Sequence, residues 1–369
     1  MKITILCPSF AAGGAEKVAV NLANDFAKRG HRVTFLVLKS SGPYDSDLDP
    51  EIKVVNLNTR ARWGVLSLRR FLRKDDSEAY VGAKRDINIL LCFSSIFLKK
   101  NIVLREANTL HAVARRSFFS RLGRFLLLKL AYGKSSAVIC NSNGTANDLV
   151  SRRIVSRAKT HVIANPVLPG WRVLEEKVHD AIENDWLNSS DVHVFLAVGR
   201  LHPQKNHSLL LAAFQIVSQK LRSARMIIIG SGPLKSELSL EAEELGIENK
   251  IEFIPFVENP FPYYLACEAF VLTSRYEGFG NVLVEALSTG AKVVSTECDG
   301  GPPEILGYGE YGALVPVHDH YRIAEAMLDA VFETGAFKDF DSEKVISQSL
   351  KYTVENMSQK YLNVLSGFP

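Results

Sequence analysis

Short apolar runs alternate with helix-patterned stretches along almost the whole of this 369-residue chain, and that rhythm limits the fold more than any single motif. In the first half, Ile3–Leu6, Val33–Leu38, Val54–Leu57, Ile87–Phe93, Ile102–Leu104 and Ala137–Cys140 read as strands. A helix from Ala15 to Arg29 joins the first two, and Gly30 closes it. In the second half the strands are Val194–Val198, Met226–Ile229, Ile251–Ile254, Ala269–Leu272 and Lys292–Ser295. Helices fall near Ser208–Lys220, Leu234–Leu245, Pro262–Cys267 and Asn281–Ser288. Nearly continuous apolar strands interleaved with helices build parallel sheets covered on both faces. The predicted architecture is therefore α/β, with two doubly wound parallel-sheet domains in tandem, 1–168 and 192–350. The turn-rich Ile163–Gly170 leads into a polar linker over 169–191. An amphipathic helix over Val354–Leu365 lies in the segment 351–369.

Two domains suit the length. With 47% apolar and 23% charged residues, the chain has the balance of a soluble globular protein. Cys7, Cys92, Cys140, Cys267 and Cys298 are scattered, with no Cys-x-x-Cys pair. That argues against a disulfide framework or a zinc site and for a reducing compartment. Ile3–Leu6 reads as a strand and not as part of a signal peptide. The longest apolar stretches, Ile89–Leu98 and Phe125–Ala131, fall short of the ~20 residues that span a bilayer. The expected location is cytoplasmic.

The net charge of +4 hides an asymmetry. Residues 1–168 hold 28 Lys+Arg against 12 Asp+Glu, a balance of +16, and the rest hold 16 against 28, a balance of −12. A basic first half calls for an anionic partner, such as a lipid surface, unless the charges are simply solvated. Nothing in the chain carries a nucleic-acid-binding signature, so no nucleic acid is expected.

The most informative short stretch is Glu277-Gly278-Phe279-Gly280-Asn281-Val282-Leu283-Val284-Glu285. It reads as a glycine-rich loop turning into a helix, with Asn281 as N-cap and Gly290 ending it. Free amides and the positive end of the helix dipole then point out of the loop and suit an anion. Glu277 in the loop and Glu285, roughly 6 Å further along the helix axis, flank that site. Amides for phosphate, bracketed by carboxylates that accept from hydroxyls, fit a ligand that is half phosphate and half polyol, such as a nucleotide sugar.

Other predicted strand ends carry matching chemistry, at the edge where open α/β sheets bind ligands. Gly199-Arg200-Leu201-His202-Pro203-Gln204-Lys205 follows a strand and offers an Arg fork and a Lys point charge to a diphosphate. Ile229-Gly230-Ser231-Gly232-Pro233 is a strand, a tight glycine turn and a helix start. Phe253-Ile254-Pro255-Phe256-Val257 can present main-chain groups to a flat base. In the first half, Gly13-Gly14-Ala15-Glu16 lets the backbone approach a ligand. The spacing is not the Gly-x-Gly-x-x-Gly of a dinucleotide site, and Val33–Leu38 ends in Lys39-Ser40 without the acid that holds an NAD ribose. A dehydrogenase is disfavoured. Asp45-Ser46-Asp47-Leu48-Asp49 imitates an Asp-x-Asp metal motif, yet its Gly- and Pro-containing surroundings mark a solvated turn.

Taken together, Gly13-Gly14-Ala15-Glu16, Asn141-Ser142, Asn165-Pro166, Gly199-Arg200 with Lys205, Gly230-Ser231-Gly232-Pro233 and the Glu-x7-Glu pair resemble, in order, the motifs of a retaining family-4 glycosyltransferase (glycosyltransferase group 1). The resemblance covers nearly all of the chain. It implies the GT-B architecture, two Rossmann-like domains facing across a cleft. It also implies that Arg200 and Lys205 hold the donor diphosphate and stabilise its departure. Glu285 then bonds the ribose. Glu277 and the amides near Phe279, Gly280 and Asn281 hold the transferred sugar and its phosphate. Gly14 approaches the diphosphate or the acceptor. Gly230, Gly232 and Val257 complete the donor site, and Gly13 and Glu16 face the acceptor. No metal or other cofactor is implied.

One departure concerns the strand Ile102–Leu104, after which many relatives carry a His. This chain has Arg105-Glu106-Ala107-Asn108 there, and His111 further on. Such a Glu resembles a bacterial surface-polysaccharide branch of the family. Glu106 is a base or acceptor ligand on that reading, and a structural loop carboxylate on the alternative. In Arg115–Lys134, Phe118, Phe119, Leu122, Phe125, Leu126 and Leu130 share one helical face, with Arg116, Arg121, Arg124 and Lys134 mainly on the other. A basic amphipathic helix of this kind lies on an anionic bilayer, although a core helix with a basic outer face has the same pattern.

The sequence reading is thus a metal-independent retaining transferase, peripheral on the inner face of the plasma membrane. It takes a UDP- or GDP-sugar, UDP before GDP, and a lipid-linked or saccharide acceptor. A sugar-nucleotide epimerase of the same fold is the chief rival, and it would turn over donor without an acceptor. A non-catalytic nucleotide-sugar binding protein is the other, which the presence of Arg200, Lys205, Glu277 and Glu285 disfavours.

Overall fold

The computed structural model describes residues 1–11, 13–40, 42–59, 64–110 and 118–367. Two compact units partition the chain: Met1–Val167 with Tyr352–Pro369, and Leu168–Lys351.

Unit 1 holds, in chain order, β1 (Lys2–Cys7), α1 (Gly14–Lys28), β2 (Arg32–Val37), β3 (Lys53–Asn56), α2 (Val65–Lys74), β4 (Ala79–Gly82), α3 (Arg85–Ser94), β5 (Ile102–Glu106), α4 (Phe118–Gly133), β6 (Ala137–Cys140), α5 (Asn143–Ser151) and β7 (Thr160–Val162). Its seven strands are all parallel, in the order β3-β2-β1-β4-β5-β6-β7. Side-chain alternation divides each central strand between two cores. Ile3, Ile5 and Cys7 of β1 pack with Val18, Leu22 and Phe26 of α1, whereas Leu6 faces Leu68 and Leu72 of α2 and Leu91 of α3. The sheet is therefore doubly wound.

Unit 2 holds α6 (Trp171–Val178), β8 (His193–Val198), α7 (His207–Lys220), β9 (Ala224–Ile229), α8 (Lys235–Glu244), β10 (Ile251–Ile254), α9 (Phe261–Ala266), β11 (Ala269–Leu272), α10 (Asn281–Ser288), β12 (Val293–Thr296), α11 (Pro302–Ile305), β13 (Ala313–Val315), α12 (His320–Phe332) and α13 (Ser342–Ser349). Its six strands are parallel, in the order β10-β9-β8-β11-β12-β13. The order reverses between β8 and β11, and the crevice beyond the carboxyl ends of such a pair is where doubly wound sheets take ligands. The last helix, α14 (Val354–Leu365), returns to unit 1. Met357, Tyr361 and Leu365 enter the α1 core, and Arg29 donates to Gln359 and to the carbonyl of Glu355.

Several sequence expectations change. Ile87–Phe93 is not a strand but most of α3. Ile87, Leu90, Leu91 and Ser94 are buried at helical spacing, and the apolar run is continuous because α3 lies between neighbours. The strand of that region is β4, four residues all buried, which were too short to stand out after Asp75-Asp76. The linker 169–191 contains α6. In α4, Phe125 packs on the core with buried Leu128, Ala131 and Tyr132, while Leu126, Leu127 and Leu130 are exposed. Of the single apolar face expected there, Phe125 thus turns inward and Leu126 and Leu130 outward, and the side chains of Phe118, Phe119 and Leu122 lie outside the described residues. His111 and Arg116 lie outside the described residues, as do the side chains of Arg121 and Arg124.

Candidate active site

The loop after β8 and the loop after β11 meet at the carboxyl edge of the unit 2 sheet. Arg275 donates its amide to the carbonyl of Gln204, and the Thr273 hydroxyl reaches the carbonyls of Lys205 and Asn206. These contacts bring Lys205 Nζ to within 2.6 Å of Glu277 Oε1, and the Ser274 hydroxyl donates to the same oxygen at 2.7 Å. Gln204 Nε2 holds the carbonyl of Tyr276 at 3.0 Å. Glu277 and Ser274 are buried. A cation and a hydroxyl thus share one oxygen of this carboxylate. Arg200, by contrast, is exposed at the start of the same loop.

His207 begins α7 directly behind Lys205. It is buried, its Nδ1 has no partner among the described residues, and burial, aided by the Lys205 charge, lowers its pKa to about 4. It is therefore a neutral imidazole at physiological pH.

Gly280 caps α10 in the left-handed region (φ +98°), and Asn281 is the first helical residue, not the N-cap expected from sequence. Only glycine takes that conformation cheaply, and it turns the amides of the first helical turn out of the loop. Phe279 is buried beneath them. Glu285, one turn on, receives a 3.1 Å hydrogen bond from the Tyr264 hydroxyl.

Gly230 and Gly232 serve a purpose the sequence did not disclose. A Cβ on Gly230 would lie 2.0 Å from the carbonyl oxygen of Gly199, and one on Gly232 would lie 2.2 Å from that of Leu201. They admit the loop that carries Arg200 and Lys205. Gly300 and Gly301 do the same for the other loop, with Cβ positions 1.9 Å from the Glu277 carbonyl oxygen and 2.2 Å from that of Phe279. Tyr276 bridges to Asp299, whose carbonyl accepts from the Glu277 amide at 2.9 Å. Sequence reasoning passed over Asp299-Gly300-Gly301, although a glycine pair just beyond a strand is the signal it used at Gly13-Gly14. Ser274 and Tyr264 carried no such signal. Val257 is half-buried beyond β10, beside exposed Phe256.

In unit 1, Gly13 caps α1 and Gly14 begins it. The space above Gly13 is occupied by Glu16, whose Oε2 lies 2.5 Å from where a Cβ would be. Glu16 is buried, forms an ion pair with Lys84, and leaves Oε2 without a partner among the described residues. Glu106, expected as a base or acceptor ligand or else as a structural carboxylate, ends β5. It is 2% exposed, Arg85 grips both oxygens at 2.9 and 3.1 Å, and the Tyr132 hydroxyl donates to Oε2 at 2.6 Å. A carboxylate enclosed in this way ties β5 to α3 and α4. The Asp45–Asp49 stretch is a turn in which Asp47 pairs with Lys17 at 2.5 Å and Asp49 accepts from the Glu51 amide. Among the described residues no His, Cys, Asp and Glu side chains gather as a metal site, and no helix is long and apolar enough to cross a membrane.

Two family models match, Glycosyltransferase Family 4 over residues 12–169 and Glycosyl transferases group 1 over 178–340. The chain is 32% identical, over 69% of its length and 70% of the relative's, to the N-acetylgalactosamine-N,N'-diacetylbacillosaminyl-diphospho-undecaprenol 4-alpha-N-acetylgalactosaminyltransferase of Campylobacter jejuni. The chain belongs to the family-4 glycosyltransferases. It is also 25% identical, over 97% of both chains, to the lipopolysaccharide core biosynthesis glycosyltransferase LpsE of Rhizobium meliloti. Among solved structures, Anabaena Alr3699/HepE in complex with UDP-glucose superposes with a TM-score of 0.82 at 20% identity, covering all of both chains. That likeness establishes the GT-B fold for this glycosyltransferase.

Proposed function

We propose that this glycosyltransferase moves a sugar from a nucleotide-diphosphate sugar, UDP in preference to GDP, to a lipid-linked or polysaccharide-precursor acceptor. Transfer retains the anomeric configuration and needs no metal ion. The observation that carries the reading is the meeting of Lys205, Glu277 and Ser274 at the sheet edge, beside exposed Arg200 and the amides of α10. Cleavage of a sugar–phosphate bond leaves a diphosphate that gains negative charge and a sugar ring that becomes cation-like. Arg200, Lys205 and the first amides of α10 take the diphosphate on this reading, and prepositioned charge of this kind is usually the largest catalytic contribution. Glu277 accepts from hydroxyls of the transferred sugar, and Glu285 accepts from the ribose. The cations thereby carry charge that a metal ion carries in other phosphate chemistry.

UDP is favoured because the Anabaena neighbour was solved with UDP-glucose, and a lipid-diphosphate acceptor because the Campylobacter relative is named for one. A membrane-facing unit 1 accords with its +16 balance and with Leu126, Leu127 and Leu130, which are 50, 40 and 62% exposed beside exposed Lys129 and Lys134. The test incubates the protein with UDP-, GDP- and ADP-sugars and a synthetic lipid-diphosphate saccharide, with EDTA present, and follows the product anomer by NMR. Transfer from one UDP-sugar with retained configuration supports the reading. Epimerised donor without an acceptor, inverted product, or activity abolished by EDTA overturns the corresponding part of it.

A further inference from the structure

Tyr264 lies in α9 and is completely buried. Its ring stands edge-on to Phe270 of β11, with centroids 5.3 Å apart and planes at 79°, and edge-on to Phe261 at 6.4 Å and 71°. The helix is braced in turn. Asn259, just before it, donates to the carbonyl of Lys177 and to Asp180, and α6 packs against α9. The ring therefore has little freedom, and its hydroxyl is the one polar atom it takes into the interior. That hydroxyl donates to Glu285 Oε2 at 3.1 Å.

We propose that Tyr264 is a positioning residue, holding the Glu285 carboxylate in the orientation that receives the nucleotide ribose. The inference rests on the reading that Glu285 bonds the ribose. A glutamate side chain has several rotatable bonds, and an unrestrained carboxylate loses rotamer freedom when a ligand arrives. A hydrogen bond from a locked phenol removes that cost beforehand, as supporting residues do in preorganised sites. The phenol cannot turn elsewhere without leaving a buried hydroxyl unpaired. Burial and the adjacent Glu285 also push its pKa well above the ordinary tyrosine value, so it remains a donor throughout the working pH range. The ribose is remote from the bond that breaks, so the effect falls on binding of the donor and not on the chemical step.

The test is Tyr264→Phe, which keeps the ring and removes one hydroxyl. Calorimetric affinities for UDP and for 2′,3′-dideoxy-UDP are compared across wild type, Tyr264→Phe and Glu285→Ala, with donor KM and kcat measured in parallel. A hydrogen bond to a charged group predicts UDP weakened on the order of tenfold in Tyr264→Phe. Donor KM rises in step, kcat stays within about twofold, and the dideoxy nucleotide binds as it does to wild type. Equal weakening of both nucleotides by Tyr264→Phe would mark a merely structural residue and overturn the inference. Unchanged UDP affinity in Tyr264→Phe, with Glu285→Ala weakened, overturns it while leaving the ribose reading intact. Unchanged UDP affinity in Glu285→Ala overturns both.

Discussion

Lys205 and Glu277, 72 positions apart in sequence, form an ion pair at 2.6 Å on one edge of the unit 2 sheet, with the glutamate buried and the lysine part-buried. The pair joins the loop that offers cations to the loop that offers amides, so one contact fixes two parts of the proposed donor site. Removing Lys205 leaves the buried Glu277 charge without its cation, which costs up to about 3–5 kcal/mol, and removing Glu277 strands a part-buried lysine at a smaller cost. Lys205→Met and Glu277→Gln are each expected to lose stability in denaturant titration, and the double variant is expected to lose less than the sum. Additive losses would show that the pair is not coupled. Ser274→Ala is expected to lose about 1–2 kcal/mol through the hydrogen bond to the same oxygen.

Arg200 differs because its side chain is exposed. Arg200→Ala is expected to leave the unfolding midpoint unchanged within about 0.5 kcal/mol. Its kcat is expected to fall by roughly 10²–10³, the usual loss when one charge-stabilising donor is removed. A variant that transfers sugar at the wild-type rate removes Arg200 from the mechanism.

The alternation of strands and helices was legible because the central strands are buried on both faces and so are mostly apolar, as in Ile3–Leu6 and Val194–Val198. The same property misled at Ile87–Phe93, where a helix enclosed between neighbours is as apolar as a strand, and β4 was too short to be seen. In the site, charged residues near glycines drew attention, so Arg200, Lys205, Glu277 and Glu285 were readable. Ser274, Tyr264 and Asp299 were not, because their roles come from contacts between loops far apart in sequence. Glu106 was readable as unusual but not as enclosed. Only the fold brings Arg85 and Tyr132 to it.

Glu106→Gln follows from that enclosure. The substitution leaves part-buried Arg85 without its carboxylate and is expected to cost up to about 3 kcal/mol. The fraction that remains folded at low temperature should transfer sugar at close to the wild-type rate. Loss of turnover in folded Glu106→Gln would restore the carboxylate to the chemistry.

The glycines that let loops approach give a stability prediction. Gly230→Ala and Gly300→Ala each force a Cβ to about 2 Å from a carbonyl oxygen, at φ +149° and +126°. Each is expected to lose at least about 1–3 kcal/mol, as overpacking does, whereas Gly246→Ala meets nothing within 4 Å and carries only its φ penalty. Equal losses at all three positions would contradict the close approach.

His207 gives a pH signature. Its folded pKa of about 4 lies below the unfolded value of 6.5, so between these limits the unfolded chain binds a proton that the folded one does not. Stability is therefore full above pH 6.5 and declines as the pH falls towards 4, by up to about 3 kcal/mol from this group. The stability gap between wild type and His207→Gln should narrow as the pH is lowered from 7.5 to 4.5. A gap independent of pH would show that the imidazole is not buried in neutral form.

The central claim is that the carboxyl edge of the unit 2 sheet holds the nucleotide diphosphate through Arg200, Lys205 and the amides of α10. Calorimetric titration of UDP into wild type and into Lys205→Met, without metal, tests it most directly. Saturable one-to-one binding by wild type, weakened at least about tenfold in a folded Lys205→Met, is the predicted result. Equal affinity in the two proteins would contradict the account.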